Sequence, residues 1–95
     1  MRPLRDPEGA ELSHLVNACD LEGKDILEIG CGDGKFTRQY ANLPRRVVGI
    51  DLEFSDLHEA DSNKNTSRSF FIQSKGERLP FHAQVFDIAI FESSL

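Results

Sequence analysis

The chain has 95 residues, enough for one small domain with a modest core, because a chain of this size buries only about 60 to 65% of the surface that its unfolded form exposes. Hydrophobic residues make up 39% and charged residues 28%, which is ordinary globular usage and excludes wholesale disorder. The formal net charge of −5 at pH 7 argues against nucleic acid as the main partner, because its binding rests on Lys and Arg that neutralise phosphates.

Targeting and metal-binding patterns are also missing from the sequence. No apolar stretch approaches the roughly 20 residues of a membrane span, and no signal-peptide pattern opens the chain. Cys19 and Cys31 form no CxxC pair, and the three histidines are scattered, which predicts neither a disulfide framework nor a metal site. We therefore expect a soluble cytoplasmic protein without a membrane partner.

The predicted elements follow one another in a regular order. Residues 1–7 are polar and contain two prolines, which predicts a loose N-terminal lead before a domain over residues 8–95. An apolar stripe at helical spacing predicts a helix that begins near Glu8. Further helices are predicted at residues 35–43 and 54–64. Buried strands are predicted where short apolar runs occur, at residues 24–29, 45–51, 69–74 and 85–93. Strands that are apolar throughout and alternate with helices indicate a parallel sheet covered on both faces.

The stretch "DILEIGCGDGKF" places three glycines, Gly30, Gly32 and Gly34, directly behind the first buried strand. Glycines between a strand and a helix let the backbone approach a ligand, because no Cβ stands in the way and positive φ costs little. The helix N-terminus beyond them offers unpaired N–H groups. The spacing differs from the dinucleotide fingerprint G-x-G-x-x-G, because the third glycine falls early.

Three stretches together resemble the class I S-adenosylmethionine-dependent methyltransferases. "LEIGCGDG" is similar to the first motif of that family, and "VVGIDLE" is similar to its second. "GERLPFHAQVFDIAIF" resembles the third and fourth motifs of the small-molecule branch. The resemblance covers residues 25–91 and implies an α/β fold, a Rossmann-like parallel sheet in strand order 3-2-1-4 flanked by helices. Since the family continues with a fifth strand, the expected domain is partial and truncated after the fourth.

The resemblance also implies a cofactor site for S-adenosylmethionine. The loop residues Gly30, Cys31, Gly32 and Gly34 would contact the methionine and ribose portions of the cofactor. Asp51 would accept hydrogen bonds from the ribose hydroxyls, at an interval of about twenty residues from the first glycine. Adenine would rest on the backbone of Gly76 and Glu77 or against Leu52 and Leu79. Lys75 stands where the family usually has an adenine-binding acid, and it has no acceptor for an amino donor.

Several of these residues also have structural interpretations. Glu28 could anchor the methionine ammonium through water, or could accept hydrogen bonds from the loop's own N–H groups. Asp51 could be a strand-ending acid. Glu92, near the carboxyl end of the fourth strand, is the candidate proton acceptor, against the alternative of a solvated loop carboxylate. Asp87, at the opposite end of that strand, is expected to be structural.

The predicted function is the cofactor-binding part of a methyltransferase that acts on a small-molecule acceptor. Methyl transfer from a sulfonium needs alignment of the acceptor in a dry site rather than a protein nucleophile, which accounts for the missing catalytic triad. The alternatives are a non-catalytic module that pairs with another chain, and an NAD-type nucleotide-binding domain. An open edge on the fourth strand predicts self-association. Because the resemblance implies that the later half of the family's domain supplies the acceptor side of the pocket, no methyl transfer is expected from the chain alone.

Overall fold

A computed structural model describes residues 2–6, 21–75 and 85–92 of the chain. Within these ranges the protein forms five strands and two helices. The strands are β1 (Arg2–Asp6), β2 (Asp25–Ile29), β3 (Arg46–Asp51), β4 (Ser69–Gln73) and β5 (Ile88–Glu92). The helices are α1 (Lys35–Tyr40), which follows β2, and α2 (Phe54–Ser62), which follows β3. Neither helix is long and apolar enough to cross a membrane.

The five strands form one parallel sheet in the order β1-β5-β2-β3-β4. The four strands expected from the sequence are β2, β3, β4 and β5, so the predicted order 3-2-1-4 is confirmed. The chain order reverses beside β2, which has β3 on one side and β5 on the other. Ligands of open α/β sheets bind at the carboxyl ends of the strands at such a point.

The first strand was not expected. Residues 2–6 pair with β5 in parallel register, from Arg2 opposite Ile88 to Asp6 opposite Glu92, so the expectation of a loose lead is wrong for these residues. An outermost strand needs no apolar run, and it tolerates a proline because one side of its backbone has no strand to pair with. The edge of β5 is therefore paired, and the open edge on which the expectation of self-association rested is absent from the described strands.

Apolar side chains pack on both faces of the sheet. The face that carries α1 holds a cluster of Leu21, Ile26, Phe36, Tyr40, Ala41, Val47, Ile88 and Ile90. The opposite face holds Leu27, Val48, Ile50 and Phe86, with Ile29 against them. Alternate residues of β2 and β3 thus serve opposite faces, as the two-residue period of a strand requires. Both faces being apolar explains why the strands have no polar alternation.

The element bounds are narrower than the sequence patterns predicted. Helix α1 ends at Tyr40 instead of residue 43, because the Leu43 amide already turns back to the Tyr40 carbonyl and Pro44 disfavours helix in the residue before it. Strand β5 begins at Ile88 instead of residue 85. The helix expected from Glu8 and the connection expected at residues 75–84 lie, except for Lys75, outside the described residues.

Candidate functional site

The glycine loop has the left-handed backbone that the sequence predicted. Gly30, Gly32 and Gly34 have φ values of +80°, +55° and +81°, which side chains with a Cβ rarely adopt. The amides of Gly30 and Cys31 both donate to the carbonyl of Ile50, at 2.9 and 3.1 Å. The loop therefore leaves β2 and is fixed at once to the carboxyl end of β3.

The three glycines face different surroundings. A Cβ on Gly30 would lie 3.2 Å from the carbonyl oxygen of Glu92, and one on Gly34 would lie 3.0 Å from Cβ of Ala60 in α2. A Cβ on Gly32 would meet no atom of the described residues within 4 Å. Gly30 and Gly34 are thus needed for packing against β5 and α2, whereas Gly32 borders open space where a ligand could lie against the backbone.

Asp51 lies against this open part of the loop. Its Oδ2 accepts a hydrogen bond from the Gly32 amide at 2.8 Å, and its Oδ1 accepts one from the Glu53 amide at 3.1 Å. Each carboxylate oxygen can accept a second hydrogen bond, so the two backbone contacts leave acceptor capacity for a pair of ligand hydroxyls. The structure brings Asp51 and Gly32 together, as the predicted site requires, and shows in addition that Asp51 shapes the loop.

Glu28 is fully buried beneath the loop. Its Oε1 accepts hydrogen bonds from the Tyr40 hydroxyl at 2.6 Å and from the Thr37 hydroxyl at 2.9 Å. The loop amides of Gly30, Cys31, Gly32 and Gly34 donate to other acceptors, so the expectation that they satisfy Glu28 is wrong for these four groups. Instead the carboxylate joins β2 to α1 across the start of the glycine loop.

Thr37 and Tyr40 were missed by the sequence reasoning. Tyr40 is 1% exposed, and burial followed by the negative charge of Glu28 raises the pKa of its hydroxyl well above the usual value. The hydroxyl therefore stays protonated and can donate. A signal was available in the sequence. Thr37 and Tyr40 are three residues apart, so they share one face of a helix, and both are polar in an otherwise apolar stripe.

Cys31 contacts the loop through its backbone and through its thiol, which donates to the Gly32 carbonyl at 3.7 Å. Its side chain is 4% exposed, and its Sγ would lie 2.9 Å from a Cβ on Gly49, so the thiol fills the space that Gly49 leaves above β3. Burial, with the charges of Glu28 and Asp51, raises the pKa of the thiol. A protonated, buried thiol is a packing group and a poor nucleophile.

The adenine side of the predicted site is described in part. Leu52 follows Asp51 with its side chain 57% exposed, and its carbonyl accepts a hydrogen bond from the Gln73 side chain at 3.0 Å. Lys75 is exposed, and the Ser74 amide beside it donates to the Asp51 carbonyl at 3.0 Å. The predicted contacts Gly76 and Glu77, with Leu79, lie outside the described residues.

The two acids of the fourth predicted strand lie at its opposite ends. Glu92 is the last residue of β5 and is half-buried, so the alternative of a solvated loop carboxylate is wrong, and its carbonyl borders Gly30. Asp87 precedes β5, and its Oδ2 accepts a hydrogen bond from the Asp25 amide at 2.8 Å. The structural role expected for Asp87 is confirmed.

Comparisons with known proteins agree with this geometry. Residues 27–95 match the family model described as a methyltransferase domain. A ubiquinone biosynthesis O-methyltransferase of Nitrosococcus oceani is 41% identical over 59 residues, which are 62% of this chain and 25% of that protein. A fatty-acid O-methyltransferase of Mycolicibacterium smegmatis is 32% identical over 83 residues, 84% of this chain and 30% of that protein.

Solved structures give the same fold. An S-adenosylmethionine-dependent methyltransferase of Methanosarcina mazei superposes with a TM-score of 0.70 at 27% identity, over 84% of this chain and 42% of that one. The matched part of the chain spans between 25% and 38% of the length of the first curated relatives. The similarity therefore lies in the part that contains the glycine loop and Asp51.

Proposed function

Because this chain belongs to the methyltransferase domain family, whose class I members use S-adenosylmethionine, we propose that its glycine loop and Asp51 bind that cofactor as part of an enzyme that methylates an oxygen atom of a small molecule. The observation that carries the proposal is the hydrogen bond from the Gly32 amide to Asp51 at 2.8 Å. It sets a carboxylate beside the one loop glycine that borders open space.

The residues present fit the cofactor in shape and in charge. Gly32 offers bare backbone in open space, and Asp51 keeps acceptor capacity for two hydroxyls, the pattern that a ribose presents. Leu52 adds an exposed apolar side chain next to Asp51 for the adenine. When bound, S-adenosylmethionine supplies an activated methyl group. The chain has to hold and orient it, and no nucleophile is asked of the protein.

Two relatives support oxygen as the accepting atom. Both the ubiquinone biosynthesis enzyme and the fatty-acid enzyme are named O-methyltransferases. A carboxyl acceptor is already ionised at neutral pH, whereas transfer to a hydroxyl needs that oxygen to lose its proton, and Glu92 is the candidate that would take it at this end of the sheet. It is half-buried at the end of β5, beside Gly30, where a carboxylate could face an acceptor placed against the methyl group.

Isothermal titration calorimetry with the full chain tests the cofactor assignment. S-adenosylhomocysteine should release heat and saturate, whereas NAD should not, because the loop lacks the third glycine of the dinucleotide fingerprint. Tighter binding of NAD would assign the site to the nucleotide-binding alternative. No heat with either ligand, for a chain that is folded by circular dichroism, would favour the non-catalytic module.

A radiolabelled methyl-transfer assay tests the reaction. With the enzyme of which this chain is the cofactor-binding part, a pool of phenols and carboxylic acids should accept label and a pool of amines of matched size should not, whereas the chain alone is expected to transfer none. The matched variant Glu92→Gln keeps the shape of the side chain and should lower the rate while leaving the affinity for S-adenosylhomocysteine unchanged. Transfer to the amines alone would overturn the assignment of an oxygen acceptor.

A further inference from the structure

Three arginines meet at the amino-terminal ends of the strands, the end of the sheet opposite the glycine loop. There a cleft of about 400 Å³ is lined by Asp25, Arg45, Arg46, Ser67, Arg68 and Phe70. Asp25 and Arg46 begin β2 and β3, and Ser67 and Arg68 directly precede β4. The methyl-donor site at the other end of the same strands leaves this cleft without a role.

The cleft is cationic in a chain that is acidic overall. Three guanidinium groups and one carboxylate line it, a net charge of about +2 (three minus one) at neutral pH, whereas the whole chain carries −5. Asp25 accepts hydrogen bonds from Nε and Nη2 of Arg45, and Nη2 of Arg46 lies 3.5 Å from its Oδ2. Asp87 is nearby but does not line the cleft, and its Oδ2 accepts the Asp25 amide.

The guanidinium groups are held in place and keep donors to spare. Arg46 lies over the ring of Phe86 at 5.4 Å, and its Nε is buried with no acceptor among the described residues. Nη2 of Arg68 donates to the carbonyl of Asn42 at 3.0 Å. Since each guanidinium has five N–H donors, these contacts occupy a minority of them. The side chains of Arg45 and Arg46 are 69% and 40% exposed, so donors remain open to an oxyanion in the cleft.

We propose that this cleft binds the phosphate group of a small phosphate ester. A phosphate monoester carries a charge close to −2 at neutral pH, which matches the net charge of the lining. A carboxylate ligand would carry only −1, and one guanidinium is enough to neutralise it, as Arg45 does for Asp25. Arginine forks match phosphate oxygens bidentately. The ring of Phe70, 47% exposed, offers an apolar surface beside the arginines for the organic part of the ester.

Calorimetric titration of the full chain with inorganic phosphate, phenyl phosphate and phenol tests the proposal. The variant Arg68→Gln removes one guanidinium, and because Arg68 makes its described contact with a backbone carbonyl, Asp25 stays paired with Arg45. The control is Arg38→Gln, which makes the same substitution at a residue outside the lining, where Nη1 donates to the Asp33 carbonyl. Thermal unfolding checks that both variants fold.

We expect phenyl phosphate to bind and phenol not to bind. Arg68→Gln should weaken the binding of phenyl phosphate about tenfold, as the loss of one charge-assisted contact predicts, while Arg38→Gln leaves the affinity unchanged. Phenyl phosphate tighter than inorganic phosphate would indicate an organic ester over Phe70, and equal affinities would indicate free phosphate as the ligand. Equal weakening by both variants, or binding of phenol as tight as that of phenyl phosphate, would overturn the proposal.

Discussion

The Tyr40 hydroxyl donates a 2.6 Å hydrogen bond to Oε1 of Glu28 inside the protein, where both side chains are at most 1% exposed. The bond crosses from α1 to β2, the two elements between which the glycine loop runs. Thr37 adds a second contact, at 2.9 Å, to the same oxygen. Two hydroxyls of one short helix thus hold a buried carboxylate of β2. The position of the loop above the sheet depends on these bonds.

Replacing Tyr40 by phenylalanine should destabilise the fold. Tyr40→Phe removes only the hydroxyl and keeps the ring contact with Phe36 at 5.4 Å. It leaves a buried carboxylate with one donor fewer, which costs about 1 to 3 kcal/mol of unfolding free energy. Urea denaturation followed by circular dichroism measures the loss. Unchanged stability would mean that the bond has no net value in the folded protein.

Asp51→Ala should weaken the binding of S-adenosylhomocysteine far more than the same substitution at a neighbouring acid. Two hydrogen bonds from the ribose hydroxyls to a carboxylate would be lost, together with the contact that orders Gly32, and the expected cost is about 2 to 4 kcal/mol of binding free energy. The control is Asp33→Ala, which removes a loop carboxylate that accepts from the Lys35 amide. Calorimetry on both variants decides, and equal affinities would remove Asp51 from the site.

Asp25 should make stability depend on pH in the acid range. The hydrogen bond from Arg45, helped by the charges of Arg46 and Arg45, lowers the pKa of Asp25 below its usual 3.8, although burial opposes this. The folded state therefore binds its proton less readily than the unfolded state. The stability from this carboxylate is complete above pH 3.8 and is lost as the pH falls through the lower folded-state pKa.

The variant Asp25→Asn isolates this contribution. Urea unfolding between about pH 6 and pH 2 should show a steeper loss of stability in the unmodified chain than in the variant. Asp87→Asn serves as the control, because it removes a neighbouring carboxylate while the Arg45–Asp25 pair stays in place, and an asparagine oxygen can still accept the Asp25 amide. Parallel pH profiles for the unmodified chain and Asp25→Asn would contradict the argument.

The sheet could be predicted because its strands carry their own signal. Four apolar runs indicated the parallel strands, and the resemblance to a known family implied their order 3-2-1-4. Gly30, Gly32 and Gly34 marked where the backbone needs positive φ. The strand at residues 2–6 carried no such signal, because an edge strand that contains Pro3 is defined by its pairing with β5 and not by apolar side chains.

The side-chain contacts of the site could not be predicted in the same way. Whether Tyr40 or a loop amide meets Glu28 depends on how α1 is rotated above the sheet, which the packing of the whole α1 face decides. Likewise the sequence left Glu92 either as a proton acceptor or as a solvated loop carboxylate, and the pairing of β5 with β1, which extends to Glu92, decides that it lies half-buried in a strand. Spacing along the chain identifies which residues share an end of the sheet, and packing decides which of them touch.

Removal of β1 should expose the edge of β5. A chain that lacks residues 1–6 would leave the outer backbone groups of Ile88, Ile90 and their neighbours unpaired, and such an edge pairs with other strands when no charge or proline protects it. Light scattering across a dilution series should give a mass that rises with concentration more steeply than in the full chain. Identical masses at every concentration would mean that β1 does not protect this edge.

Substitution by alanine should have different effects at Gly32 and Gly34, although both have positive φ. In Gly34→Ala the new Cβ would lie 3.0 Å from Cβ of Ala60, so backbone strain and overpacking against α2 add to a cost of about 2 to 4 kcal/mol in unfolding free energy. In Gly32→Ala the Cβ enters open space, so only the strain of about 1 to 2 kcal/mol remains.

The same Cβ on residue 32 would occupy the space where the cofactor approaches the backbone. Gly32→Ala should therefore lower the affinity for S-adenosylhomocysteine by at least about tenfold while the chain stays folded, whereas Gly34→Ala should chiefly lower the unfolding midpoint. Calorimetry and urea denaturation on both variants separate the two effects. A Gly32→Ala chain that binds as tightly as the unmodified one would show that the ligand does not lie against this glycine, and the proposed cofactor site would have to move away from the loop.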